Sequence, residues 1–123
     1  MSARRSVMVV DDDEDIREII AIILSTRGIE TILACDGLDA LELVRANGPP
    51  ALILLDLMMP RMDGKELARE LRADPETAHT PIVVMSGNSE ARATAAAIGD
   101  CAWLPKPVGL EDLLAVVRRF LTV

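Results

Sequence analysis

Asp11 and Asp12, Asp56, Ser86 and Lys106 each stand at or just past the end of a short apolar run, and their types together are those of a charged reaction site. Should the three carboxylates share one cleft, they repel strongly, since unit charges ~4 Å apart interact by several kcal/mol at the effective dielectric near a protein surface. A cation must then sit among them. A hard divalent ion that takes oxygen ligands, keeps some waters and needs only one or two carboxylates fits best, which means Mg²⁺. Three aspartates, Lys106 and Mg²⁺ also sum to zero formal charge. The acidic run 11–15 taken alone reads first as a helix start favoured by the helix dipole. Asp56 discriminates, because an acid that closes the apolar run 51–55 is costly without a partner or a purpose. A cation, a carboxylate, a hydroxyl and an ammonium are the parts of a phosphoryl-transfer site, in which Asp56 is the nucleophile because carboxylates form acyl phosphates.

Those residues need a scaffold that brings strand ends together. Residues 7–10 are uniformly apolar and read as a strand buried on both faces. Residues 13–27 then place Ile16, Ile19, Ile20, Ile23 and Leu24 on one helical arc, with acids in the opening turn and Gly28 as a stop. Ile22 points away from that arc and is expected to be partly exposed, either as an ordinary surface isoleucine or as a partner contact. The pattern repeats as strand 29–35, helix 38–47, strand 51–56, helix 64–73, strand 82–86, helix 89–98, strand 102–104 and helix 110–121. Strands alternating with helices through short turns imply right-handed crossovers and a doubly wound parallel α/β sheet with helices on both faces. In such sheets function gathers at the carboxyl ends of the strands, near the point where strand order reverses. Asp11, Asp12, Asp56, Ser86 and Lys106 all fall there.

At 123 residues, 50% hydrophobic and 27% charged, the chain is one domain, 1–123, large enough to fold without staples. Cys35 and Cys101 have no neighbouring ligand cysteines, which excludes a disulfide scaffold and a cysteine metal cluster and points to a reducing, cytoplasmic setting. The start MSARRSVMVVDDD is too short in its apolar part for a secretory signal, and no apolar run approaches the ~20 residues that cross a bilayer. With 13 Lys and Arg against 20 Asp and Glu, the net charge of -7 opposes binding to nucleic-acid backbones or anionic membranes. Proteins and cations are the expected partners. Trp103 and Phe120 are the only aromatics, so the core is expected to be aliphatic.

The stretches VVDD (9–12), LLDLMMPRMDG (54–64), VVMSG (83–87) and WLPKP (103–107), in this order, resemble the receiver domains of two-component response regulators, the single-domain chemotaxis regulators in particular. The resemblance covers essentially the whole chain and implies a flavodoxin-like sheet of order 2-1-3-4-5. It further implies that Asp56 accepts a phosphoryl group from a histidine kinase or histidine phosphotransfer protein. By the same likeness Asp11, Asp12, Asp56 and the backbone carbonyl of Met58 hold Mg²⁺, Ser86 is the switch hydroxyl, and Lys106 precedes a cis proline bond. Trp103 takes the aromatic switch position, where tyrosine or phenylalanine is usual. Met58 and Asn88 take the positions that tune the phosphoryl lifetime, and apolar Met58 cannot hold an attacking water by a strong hydrogen bond. Signal output is expected through the fourth helix, fifth strand and fifth helix to a downstream effector protein. The fourth helix is mostly alanine, which buries little area, although alanine is also simply a good helix former.

Three rival functions follow from the same residues. An aspartate-nucleophile phosphatase would need a second acid two residues after Asp56, where Met58 stands. A dinucleotide-binding domain would need glycines after the first strand, where acids stand. A degenerate receiver that docks partners without phosphorylation would not need the full set Asp11, Asp12, Asp56, Ser86 and Lys106. His79 precedes a turn proline and reads as a loop residue. Nothing after Leu121 could read DNA, so the chain is expected to be a receiver without an effector, either a stand-alone regulator or a fragment of a longer chain.

Overall fold

A computed structural model describes residues 6–87, 91–98 and 101–121. Among these, the chain alternates β1 (Ser6–Val10), α1 (Glu14–Ser25), β2 (Glu30–Ala34), α2 (Gly37–Asn47), β3 (Leu52–Asp56), α3 (Gly64–Ala73), β4 (Ile82–Ser86), α4 (Ala91–Ile98), β5 (Cys101–Pro105) and α5 (Leu110–Phe120). The strands form one parallel sheet in the order β2-β1-β3-β4-β5. The expected helix start at Ser89 lies outside the described residues.

Each strand shows alternate side chains to opposite faces, so a strand buried on both sides must be apolar throughout. Met8, Val10, Ile53, Leu55 and Val84 pack with Leu41, Val44, Leu67 and Leu71 of α2 and α3. Val7, Val9, Leu54, Val83 and Met85 pack with Ile20, Leu24, Leu113 and Val117 of α1 and α5. The buried core is aliphatic, and both aromatics lie only partly buried at its margins.

One expectation about α1 fails. Ile22 is 64% exposed as anticipated, but Ile19, assigned to the buried arc, is 56% exposed. At the end of β1, Arg17 Nη1 of this helix donates to the Asp11 carbonyl at 2.7 Å, while Ile20 and Leu24 are the helix's buried residues. The arc facing the sheet therefore centres on Ile20 and Leu24, and Ile19 sits at its rim, about 100° from Ile20.

Local signals set the helix ends. The Asp13 carboxylate accepts from the Asp15 and Ile16 amides at the start of α1, and Asp63 with Glu66 forms a capping box on α3. Gly28, which stops α1, sits at φ +73°. Gly64 has a different reason to be glycine: a Cβ there would lie 2.5 Å from the Asp56 carbonyl oxygen. The start of α3 thus presses directly on the end of β3. Gly64→Ala is expected to lower stability by about 1–3 kcal/mol, the usual cost of overpacking, as read from the denaturant midpoint.

Candidate functional site

Register brings the strand ends level. Val10 pairs with Leu55, so Asp11, just past β1, and Asp56, the last residue of β3, follow side by side where strand order reverses. Asp56 pairs with Met85 and Ser86 with Pro105, which places Ser86 and Lys106 on the next two strand ends. The Lys106 amide donates to the Ser86 carbonyl at 3.2 Å, and the Lys106-Pro107 bond is cis, as the resemblance implied.

Carboxylate oxygens of Asp11, Asp12 and Asp56 lie within 4.8 Å of one another. Asp11 and Asp56 are buried and Asp12 is exposed, so the cluster opens to solvent on one side. Lys106 Nζ lies 2.9 Å from Asp11 Oδ2 and 3.5 Å from Asp56 Oδ2. The second Asp11 oxygen accepts from the Asp13 amide at 2.9 Å, and Asp56 Oδ1 accepts from the Met58 amide at 3.3 Å. Loss of hydration and the neighbouring Asp11 charge push Asp56 above the ordinary carboxylate range, against the pull of Lys106. Burial would lower Lys106, but its hydrogen bond to Asp11 and the charges of Asp11 and Asp56 outweigh this and raise it.

One ammonium therefore leaves the acids undercompensated, and the donors are hard oxygens with one open side. That set suits a small divalent cation of the Mg²⁺ class. Ser86 is buried at the end of β4, while the Met58 side chain is 71% exposed on the rim. Trp103 of β5 is half-buried against the α2–α3 face of the core, with the Arg92 guanidinium 5.6 Å from its ring centroid. Its indole Nε1 is buried and finds no hydrogen-bond acceptor among the described residues. Asn88 lies outside the described residues.

Arg17 and Gly64 escaped the reading of the sequence. Arg17 stands one turn after Asp13 beside the apolar arc of α1, and that spacing was the available signal for a contact with the strand end. Gly64 closes the quoted Asp63-Gly64 pair, but its close approach to Asp56 depends on how α3 meets β3.

A parallel five-stranded α/β domain that collects three carboxylates and a lysine at its switch point is the architecture of a signalling receiver, and the chain belongs to that family: the response regulator receiver domain profile matches residues 7–118. Among characterised relatives, response regulator MprA of Mycobacterium ulcerans (strain Agy99) is 42% identical over 123 residues, covering 98% of this chain and 51% of that protein. The chain spans about half the length of the curated relatives it matches. Its fold superimposes on the chemotaxis protein CheY4 of Vibrio cholerae with a TM-score of 0.87 at 31% identity, covering 97% of this chain and all of that one. A putative response regulator from Chloroflexus aurantiacus J-10-fl gives 0.89 at 27% identity, covering 97% and 98%. The chain is thus a receiver domain of two-component signalling. No helix among the described residues is long and apolar enough to cross a membrane.

Proposed function

We propose that this domain is a phosphoryl-accepting switch, in which Asp56 takes a phosphoryl group from a phosphohistidine of a histidine kinase or phosphotransfer protein in the cytoplasm. The observation that carries this reading is the grouping of the Asp56 carboxylate with Asp11 and Asp12, 3.5 Å from the Lys106 ammonium. An Asp56 oxygen attacks phosphorus, the phosphorus–nitrogen bond of the donor breaks, and the electron pair leaves with the imidazole. Asp11, Asp12, Asp56 and the Met58 carbonyl would hold Mg²⁺, which when bound offsets charge on the phosphoryl oxygens. Lys106 pairs with one of those oxygens, and the Ser86 hydroxyl turns to another.

The product carries about one more negative charge than the aspartate, with new acceptor oxygens beside Ser86 and Lys106. Movement of that charge and hydroxyl is passed to Trp103 and to the surface of α4, β5 and α5, which docks a downstream effector protein. Ala95 is the buried side chain that anchors α4 among its described residues, so this helix is held over little apolar area and moves at low cost. The chain acts as a regulatory acceptor that assists its own phosphorylation and dephosphorylation.

The test uses the single tryptophan. Mg²⁺ followed by beryllofluoride is expected to change Trp103 fluorescence, with Asp56→Asn unresponsive to beryllofluoride, and acetyl phosphate is expected to add one phosphoryl group by mass. Absence of both responses in the wild type would instead support a docking module independent of phosphorylation. Met58→Asn is expected to shorten the phosphoryl lifetime about fivefold, because an amide can hold the attacking water with one hydrogen bond worth about 1 kcal/mol. A lifetime equal to that of the wild type would remove Met58 from the lifetime-setting role.

A further inference from the structure

Residues 57–63 run from Asp56 to α3 and carry Met58, so their position decides what the backbone presents to the acid cluster. The near end is tied by two contacts: the Met58 amide donates to Asp56 Oδ1 at 3.3 Å, and the Gly64 amide donates to the Leu57 carbonyl at 3.1 Å. The far end is tied to another part of the molecule. Arg61 Nε lies 2.6 Å from Oδ2 of Asp36, a buried residue at the β2–α2 corner. Beside it the Gly37 amide donates to the Met62 carbonyl at 3.0 Å, and a Cβ on Gly37 would come within 2.6 Å of that same oxygen.

Arg61 also holds a backbone conformation that L residues avoid. Its φ is +64°, the one positive value at a non-glycine position among the described residues. Glycine would adopt that conformation without strain, so its occupation by arginine needs a compensating contact. The short ion pair supplies it. Asp36 is itself fixed: its Oδ1 accepts from the Asp39 amide at 2.9 Å as the cap of α2, and the Arg61 hydrogen bond holds its carboxyl below the usual range. The anchor is therefore a preorganised, ionised acceptor on an element that carries none of the proposed metal ligands.

Building on the receiver reading above, we propose that Arg61 is a positioning residue for the Mg²⁺ site, clamping the β3–α3 loop to Asp36 so that the Met58 backbone faces the cluster of Asp11, Asp12 and Asp56. Outer partners that orient metal ligands typically govern affinity by 10–100-fold, and a backbone ligand on a loop depends on such support more than a strand-borne side chain does. Arg61 touches neither the metal nor the phosphoryl group. Its removal should thus raise the Mg²⁺ concentration needed for half-maximal phosphorylation, while the rate at saturating Mg²⁺ stays near that of the wild type.

The experiment titrates wild type, Arg61→Ala, Arg61→Gly and Arg61→Lys with Mg²⁺ by calorimetry and Trp103 fluorescence, well below their melting temperatures. Phosphorylation by acetyl phosphate is followed across the same Mg²⁺ range. Arg61→Ala and Arg61→Gly are expected to bind Mg²⁺ about 10-fold more weakly. Arg61→Lys should recover part of that loss by keeping a donor near Asp36. Arg61→Gly separates the clamp from backbone strain, because glycine accepts the positive φ but cannot reach Asp36. Wild-type Mg²⁺ affinity in both Arg61→Ala and Arg61→Gly, with only their melting temperatures lowered, would overturn the inference and leave the receiver reading intact. A wild type that binds no Mg²⁺ and gains no phosphoryl group would overturn the receiver reading itself.

Discussion

Asp56→Asn is expected to lower phosphoryl incorporation from acetyl phosphate or a phosphohistidine donor by at least about 10³-fold while making the metal-free protein more stable. The first effect follows from removing the attacking oxygen. The second follows from electrostatics. Asp56 binds its proton more tightly in the folded protein than in the unfolded chain, because burial and the Asp11 charge disfavour the anion. A raised carboxylate value means that stability falls as pH climbs from the ordinary carboxylate value through the folded one. Above the folded value the full penalty is present. Asparagine carries no charge, so the variant should lose this falling limb and melt higher than the wild type without Mg²⁺. Added Mg²⁺ should narrow or reverse the gap by favouring the three-carboxylate site. Melting curves from the acidic range to neutrality, with and without Mg²⁺, check all of this; a lower midpoint for the variant without metal would show that the cluster is not under repulsion.

Lys106→Ala should act in the opposite direction on stability. Asp11 is fully buried, and its Oδ2 has the Lys106 ammonium at 2.9 Å. Removing one partner of a buried pair costs ~3–5 kcal/mol because the other charge is left in low dielectric. Lys106 keeps 24% of its side chain exposed, so about 2–3 kcal/mol is the expected loss. The raised value of Lys106 keeps its contribution whole below the ordinary lysine range and removes it only as pH rises through the still higher folded value. The loss is therefore full at neutral pH. Phosphoryl transfer should fall about 10²–10³-fold, the usual effect of deleting one preorganised donor to the reacting oxygens. Mg²⁺ should bind no more weakly, and should restore part of the lost stability, since it then supplies positive charge at the Asp11 carboxylate in place of the ammonium. Unchanged transfer at saturating Mg²⁺ would remove Lys106 from the phosphoryl contact.

Much of the fold could be read from the linear chain because its strands are buried on both faces. Residues 7–10, 51–55 and 82–85 are uninterrupted apolar runs, a pattern that a half-solvated sheet would not produce, and each helix between them carries its stripe at helical spacing. The doubly wound class follows from that alternation, and β1, β3 and β4 match their expected bounds to within a residue. Candidate chemistry was legible for a related reason: Asp56 and Lys106 are charged residues next to apolar strands, where charge is expensive. Ile19 shows the limit of helical periodicity. It satisfies the period of α1 as well as Ile23 does, yet it is exposed, because the roll of a helix on its sheet is set by tertiary packing rather than by spacing.

Composition and period thus sufficed for element order, for the aliphatic core and for which residues end the strands, since each depends on neighbours a few positions apart. The meeting of Asp36 with Arg61 across 25 residues, the pressure of Gly64 on the Asp56 carbonyl and the Trp103 indole donor with no acceptor among the described residues belong to the assembled molecule. They arise where loops and helix ends from different parts of the chain are brought within a few ångströms by strand register, and register distances are not written in any local pattern.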